Sequence, residues 1–447
     1  MPSKSDFKYT FPAEMSHRKK PMIEFISKHW KLNRSAVNPD TDKLIEGLKK
    51  EMPEGKVVEA ASCSECLTWI MPQRWEVRSA LLKTNSGKII ADFSDTPLTL
   101  WMHSVPYKGT VSREELLEHV VSDPDRPEDV LFHYRNGFRY GVREWGFSLP
   151  HKTILELNEP EYLVDIDSDL ADGGTLKVFD AFLPGRSEET IFFMAHTCHP
   201  GMVSDGLACI AVLIELYRSI KRIENRKYSY RFLFGPEFFA AAAYLANAPE
   251  NDIKNLKYGI YTDMLSNHEP IGYQSSYQGD TKIDAVIENV FNAHCPHHIK
   301  KGYRELWGND ETFYNGPGFD IPTAGIGRGM HREYHFSSDN LENVDEYHMI
   351  ESLWIMQRIV DVFEKDCIPV RKYRGPMYQS RYGLYIDPVQ EKRAAQIMES
   401  VQILMDGKRS LTDIAFECKA DFFMIHSLAE KMRELGLIDL LSERAGE

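Results

Sequence analysis

Five stretches between residues 190 and 262 decide the fold: TIFFMA (190–195), GLACIAVLIELYRSI (206–220), YRFLF (230–234), FFAAAAYLA (238–246) and YGIYT (258–262). Short runs rich in β-branched and aromatic residues alternate with longer stretches of helical apolar period. That alternation predicts βαβ units, in which strands covered by helices on both faces read as nearly continuous apolar runs. Downstream the pattern resumes with the helical KIDAVIENVFNAH (282–294), the strand-like IPTAGIG (321–327) and the amphipathic VDEYHMIESLWIMQRIVDVF (344–363). An α/β domain over 158–365 is the expectation.

Outward from this core the character changes. VRSALLKT, then NSG, then KIIADFS reads as a hairpin, and further short runs broken by Gly, Pro and Asp make 69–157 a mostly β insertion. Residues 1–68 contain PMIEFISKHWKL and DTDKLIEGLKKEM, whose helical period predicts packing on the α/β domain. Residues 366–388, rich in Pro, Gly and Tyr, read as a linker. Three helix-like pieces within 389–447 have the length and turn chemistry of a winged helix-turn-helix. From Glu391 to Leu441 that unit holds seven basic and nine acidic residues, so the positive face of a DNA reader is missing. A protein partner or a second copy of the chain is the expected contact.

Length and charge set the outer limits. A chain of 447 residues exceeds what one hydrophobic core organises, and 43% apolar with 27% charged residues is globular composition. The net charge of −14 disfavours nucleic acid. No window reaches the roughly 20 apolar residues that cross a bilayer, and no apolar leader opens the chain, so a cytoplasmic protein without membrane contact is expected. Seven cysteines, thinly spread, fit reduced thiols.

In an open α/β sheet, ligands bind beyond the carboxyl ends of the strands. Collecting polar residues from those positions yields His196 and Asp205 in HTCHPGMVSD, Glu237 in GPE, Asp263 at the end of YGIYTD, and His335 in REYHFSSDN. Two imidazoles and three carboxylates form a donor set suited to zinc or a similar divalent ion. Singly, each has a bland explanation, and Asp205 could simply cap the helix that follows. The joint pattern carries the expectation. Arg328, Arg332 and Trp307, close in sequence to the His335 loop, are candidate substrate contacts, or ordinary packing residues.

The order HTCHPGMVSDGLACIAVLIEL, RFLFGPE, IYTDML, YHFSSDN resembles the zinc aminopeptidases of clan MH over about 191–340. The whole chain also resembles a group of bacterial aminopeptidase-like proteins, some associated with polysaccharide biosynthesis, that carry an inserted domain of unknown function and a C-terminal winged helix. The resemblance implies a mixed sheet flanked by helices. It makes Asp205 the ligand that bridges two zinc ions, with His196 on one and Asp263 with His335 on the other. In the active relatives two consecutive glutamates serve as base and ligand, whereas here Phe238 follows Glu237. Glu237 can therefore fill one role, base or ligand, and the base is preferred. Relatives also place an aspartate two residues after the first histidine, where this chain has Cys198. Cys198 and His199 are candidate substitute ligands, with a plain turn residue before Pro200 as the other reading of His199.

GIGRG (325–329) lacks the spacing and the following helix of a dinucleotide loop, Cys63 and Cys66 form a lone CxxC, and HCPHH (294–298) reads as a solvated loop. Neither GxSxG nor HExxH occurs. The sequence thus points to a zinc-dependent aminopeptidase or related amidohydrolase with one or two metal ions, acting on a small peptide or an amide in a glycan precursor. The alternative is a catalytically inactive scaffold of the same fold that binds a ligand or protein partners.

Overall fold

The computed structural model describes residues 12–139 and 141–442. At its centre lies an eight-stranded mixed sheet whose order is Lys56–Ala61, Thr175–Leu183, Ser229–Gly235, Thr190–His196, Leu256–Asp263, Thr323–Arg328, Ile271–Gln274, Ile299–Lys301. The four middle strands run parallel. Each is buried along nearly its whole length, which is why the sequence shows apolar runs rather than alternation. Antiparallel strands extend the sheet on both sides.

Helices cover both faces. The helices Lys19–His29, Leu207–Lys221, Lys282–His294 and Glu346–Lys365 pack into the larger apolar cluster with Phe193, Phe232 and Ile260. On the other face the helix Phe239–Asn247 meets Phe192, Met194 and Tyr261 in a smaller cluster. Among the described residues no helix is long and apolar enough to cross a membrane.

The expected hairpin is present as Arg74–Thr84 paired with Ile89–Asp92. Those strands join Glu161–Ala171 and Tyr107–Ser112 in a separate four-stranded antiparallel sheet with its own core of Trp75, Leu82, Phe147 and Tyr162. This sheet corrects the boundary read at residue 157. Glu161–Ala171 alternates buried and exposed side chains along most of its length, as a strand with one covered face must, and its partner is Arg74–Thr84 rather than the central sheet.

The segment read as a linker also contains a strand, Ile368–Arg371, antiparallel to Ile438–Leu441. The three C-terminal helices, Lys392–Leu404, Leu411–Cys418 and Phe422–Glu434, follow the expected periodicity. The latter two pack through Ile414, Ala415, Phe422 and Ile425 into the same cluster as the main helices. Asn289 ties this unit down: its amide donates to Ala420 O and its carbonyl accepts Phe422 N–H.

One buried cation organises the loop after the strand Thr190–His196. Arg34, completely buried, donates to the carbonyls of Thr197, His199 and Met202. Burial pulls its pKa down to about 10, still well above neutrality, so the guanidinium stays charged. Arg34→Met would leave three buried carbonyls without their donor, each costing about 1–3 kcal/mol. Urea unfolding is expected to show a loss of at least about 2 kcal/mol.

Candidate metal centre and substrate cleft

His196 is the last residue of its strand and Asp263 the last of the neighbouring parallel strand, so both side chains leave the sheet at its carboxyl edge. Asp205 sits in the loop before the helix Leu207–Lys221. The next residue, Gly206, has φ +91°, and a Cβ there would lie 2.7 Å from both the His196 ring and its carbonyl oxygen. A glycine is therefore required for Asp205 to approach His196. Three further residues at these strand ends adopt left-handed backbone: Phe238 (φ 61°), Met264 (φ 51°) and His335 (φ 64°). Such strain persists only where surrounding contacts fix it, and it clusters at functional sites.

The side chains converge on Asp205, which is 2% exposed. Its Oδ1 lies 3.0 Å from His196 Nε2, and Asp263 Oδ1 lies 3.6 Å from the same nitrogen. Asp205 Oδ2 lies 3.3 Å from His335 Nε2 and 3.7 Å from His199 Nε2. Three overlapping donor sets result: His196/Asp205/Asp263 and His199/Asp205/His335, which share one carboxylate, and His196/Cys198/His199. His196 Nε2, Asp205 Oδ2, Asp263 Oδ1 and His335 Nε2 are all buried and have no hydrogen-bond partner. Four orphaned ligand atoms from separate segments make an expensive arrangement unless a cation satisfies them. Imidazole nitrogens and carboxylate oxygens in this number fit zinc or a similar divalent ion.

The five residues selected from the sequence are thus brought together, but in a different pairing. Asp263 groups with His196 rather than with His335, because their strands are adjacent and parallel in the sheet. The plain-turn reading of His199 is corrected: its ring is buried and faces Asp205. His199 Nδ1 also lies 2.9 Å from His196 Nδ1, so one ring donates to the other. The second imidazole thereby fixes the orientation of the first. Cys198 groups with His196 and His199 as a further candidate ligand, and its sulfur also accepts the Glu237 N–H at 3.2 Å.

Glu237 projects into the same space, with Oε2 3.9 Å from His199 Nε2. Asn309 donates from its amide to Glu237 Oε1, and Asp310 accepts the N–H of the strained Phe238. Burial pushes the Glu237 carboxyl up to about 8, with His196 pulling it down and Asp205 adding to the rise. Burial likewise raises Asp310 and Glu311 to about 7. Asp339 accepts the N–H groups of Ser204 and Asp205 at 2.8 and 3.0 Å, and burial lifts it to about 7. Asp205 is held well below the ordinary range: burial opposes ionisation, and the three surrounding histidines overcome it. Asn309, Asp310 and Asp339 escaped the sequence reading, although the quoted SSDN stretch contains Asp339.

The inserted unit closes the site. Phe132 N–H donates to His335 O at 2.9 Å, Ser337 N–H donates to Val130 O at 2.9 Å, and Leu131 bridges Phe336. Arg126 covers the Phe336 ring at 4.4 Å and donates to Ser338 Oγ. Between this unit and the sheet lies a cleft of about 540 Å³ lined by His199, Glu237 and His335, with Phe132, Tyr134 and Phe138 from the insertion.

The three proposed substrate contacts do not line this cleft. Arg328 is 1% exposed, pairs with Glu351 and donates to Glu269 O at 2.9 Å and His348 O at 3.0 Å, so it fastens the sheet to the helix Glu346–Lys365. Trp307 packs over the strand Thr323–Arg328, beside Gly325 and Gly327. Arg332 is exposed, and what Arg126 engages is its backbone carbonyl.

Residues 23–366 match a family model described as a domain of unknown function (DUF4910). A Clostridium acetobutylicum protein, provisionally named a polysaccharide biosynthesis protein with aminopeptidase-like domain, is 27% identical over 91% of this chain and 93% of its own length. A crystal structure from Clostridium acetobutylicum, provisionally described as a peptidase, superposes with a TM-score of 0.86 at 25% identity, covering 96% of this chain and 98% of that one. A zinc aminopeptidase from Bacillus subtilis shares the fold with a TM-score of 0.57 at 11% identity, over 79% of this chain and 95% of its own. The fold is therefore aminopeptidase-like.

Two measurements check the site. Asp205→Asn should abolish tight zinc binding and His199→Ala should lower the zinc content, both read by elemental analysis of purified protein. In the metal-free protein the carboxyls of Glu237, Asp310, Glu311 and Asp339, raised to about 7–8, favour folding when protonated. Their contribution is complete below the ordinary carboxyl range and is lost as pH climbs through 7–8. Metal-free protein is expected to melt lower at pH 8.5 than at pH 6, and added zinc should shrink that difference.

Proposed function

The chain belongs to the DUF4910 family, and on that footing we propose that it is a zinc-dependent hydrolase of the amino-terminal amide bond of short peptides or related amides. The observation that carries this reading is the sharing of Asp205 between two buried donor sets beside Glu237. Zinc held there would polarise an amide carbonyl and lower the pKa of water.

The protein's own residues supply the rest. His196, Asp205 and Asp263 would hold one ion, and His199, Asp205 and His335 a second. With His199 in the second set, Glu237 is free to act as the base. It takes a proton from the attacking water and passes it to the departing amine, so the carbon–nitrogen bond breaks with the proton delivered to nitrogen. A carboxyl near 8 in the metal-free site, drawn down when cations arrive, falls in the range where such a group both accepts and returns a proton. Asn309 fixes the direction of the carboxylate, and Asp310 holds the turn that presents it. The inserted unit keeps His335 in place and narrows access to the cleft.

The single glutamate before Phe238 is the feature that favours an inactive ligand-binding scaffold. His199 answers it, because a third donor for the second set no longer has to come from a second glutamate. The name of the Clostridium acetobutylicum relative adds amides of glycan precursors to the substrates worth assaying.

Hydrolysis of an amino-terminal amide should disappear with a chelator and return with zinc. Glu237→Gln should lower kcat by about 10²–10⁴-fold with zinc content unchanged, since the base is outside both donor sets. Inactivity with every divalent metal, on peptides and sugar amides alike, would establish the scaffold reading instead.

A further inference from the structure

The wall that the inserted unit contributes to the cleft carries positive charge. Residues 135–138 form a short 3-10 turn whose two ends are fixed to opposite sides of the metal centre. At one end Tyr134 stands edge-on to the His335 ring, with centroids 5.0 Å apart. At the other end Phe138 stacks on Phe239, with centroids 5.4 Å apart and planes 19° from parallel, next to the Phe238 turn that carries Glu237. Asn136 is buried beneath the turn. Arg135 therefore rides on a segment that spans the cleft from its histidine side to its glutamate side, and it lines that cleft.

Two arginines line the cleft, and they differ in kind. Arg139 is paired with Glu144 at 3.2 Å. Arg135 has no ion-pair or hydrogen-bond partner among the described residues. Arg135 is exposed, and its guanidinium, engaged by no neighbour among the described residues, is free to meet an anionic group that enters the cleft. Around it, Tyr134 and Phe138 remain 37% and 40% exposed, large aromatic faces turned to the cleft rather than to the core. A volume of about 540 Å³ suits a small ligand.

Resting on the hydrolase reading above, we infer that Arg135 binds the terminal carboxylate of the substrate, which makes the preferred substrates di- and tripeptides with an apolar first residue and a free carboxyl end. The scissile amide lies at the metal centre between Glu237 and His335, the apolar side chain rests on the aromatic wall, and the carboxylate meets the guanidinium in the fork-to-fork geometry that suits this pair. Hydrolysis consumes one water and releases the first residue with a free carboxylate and the remainder with a free amine.

The test compares leucyl-alanine with leucyl-alaninamide, which differ only in the terminal charge, using the zinc-loaded full chain. The free acid is expected to be preferred in kcat/KM by about ten- to a hundredfold, chiefly through KM, and Arg135→Gln should bring the ratio close to one. Equal rates on the two compounds in the unaltered protein, or a preference that survives Arg135→Gln, overturn the inference while leaving the hydrolase reading intact. If neither compound is cleaved, the hydrolase reading falls and calorimetric binding decides the inference separately. Tighter binding of the acid than of the amide, lost in Arg135→Gln, upholds a carboxylate site, and equal binding overturns it. Thermal unfolding of the variant identifies any loss caused by misfolding, in which case Arg135→Lys, which keeps the charge but not the fork, provides the comparison.

Discussion

A carboxylate stripped of water and surrounded by imidazoles is the constraint on which the molecule turns. Asp205 is almost completely buried and lies near three histidine rings, while Asp263 adds a second buried carboxylate to the same small volume. Removing such charges from water costs several kcal/mol each unless compensating charge arrives. The surroundings are arranged to hold them nonetheless. Asp339 accepts the Ser204 and Asp205 N–H groups, Gly206 removes the side chain that would push His196 away, and Arg34 gathers the carbonyls of the loop between. These contacts hold the candidate ligand atoms together through the protein's own hydrogen bonds.

Glu237 and the candidate ligands are held by different elements. The histidines and aspartates are positioned by strand ends and by the 197–206 loop, whereas Glu237 depends on a strained turn clamped by Asn309 and Asp310. The two are joined at Cys198, which lies in that loop and accepts the Glu237 N–H. The inserted unit adds a third layer of control. By pairing with residues on both flanks of His335 it ties one ligand to a domain that also forms the cleft wall, so movement of that wall would be felt at the centre.

Much of this was legible in the sequence, for physical reasons particular to each element. Continuous apolar runs exposed the parallel strands because both faces of the central sheet are covered, and residues just beyond those runs had to lie at one edge. His196, Asp205, Glu237, Asp263 and His335 were selected on that argument, and the structure places them close together. The strand Glu161–Ala171 was assigned to the wrong unit, since a period of two tells that a strand has one buried face but not which neighbour covers it.

What the chain determines by itself is therefore the kind of fold and the kinds of ligand atoms available at its edge, since both follow from local period and from position relative to a strand. Which residues share a donor set is another matter. Only the tertiary structure set Asp263 beside His196, turned His199 inward, buried Arg328 far from the cleft and carried Arg135 across it. These are contacts between segments tens to hundreds of residues apart, fixed by strand order and by one inserted domain, and no local pattern records them.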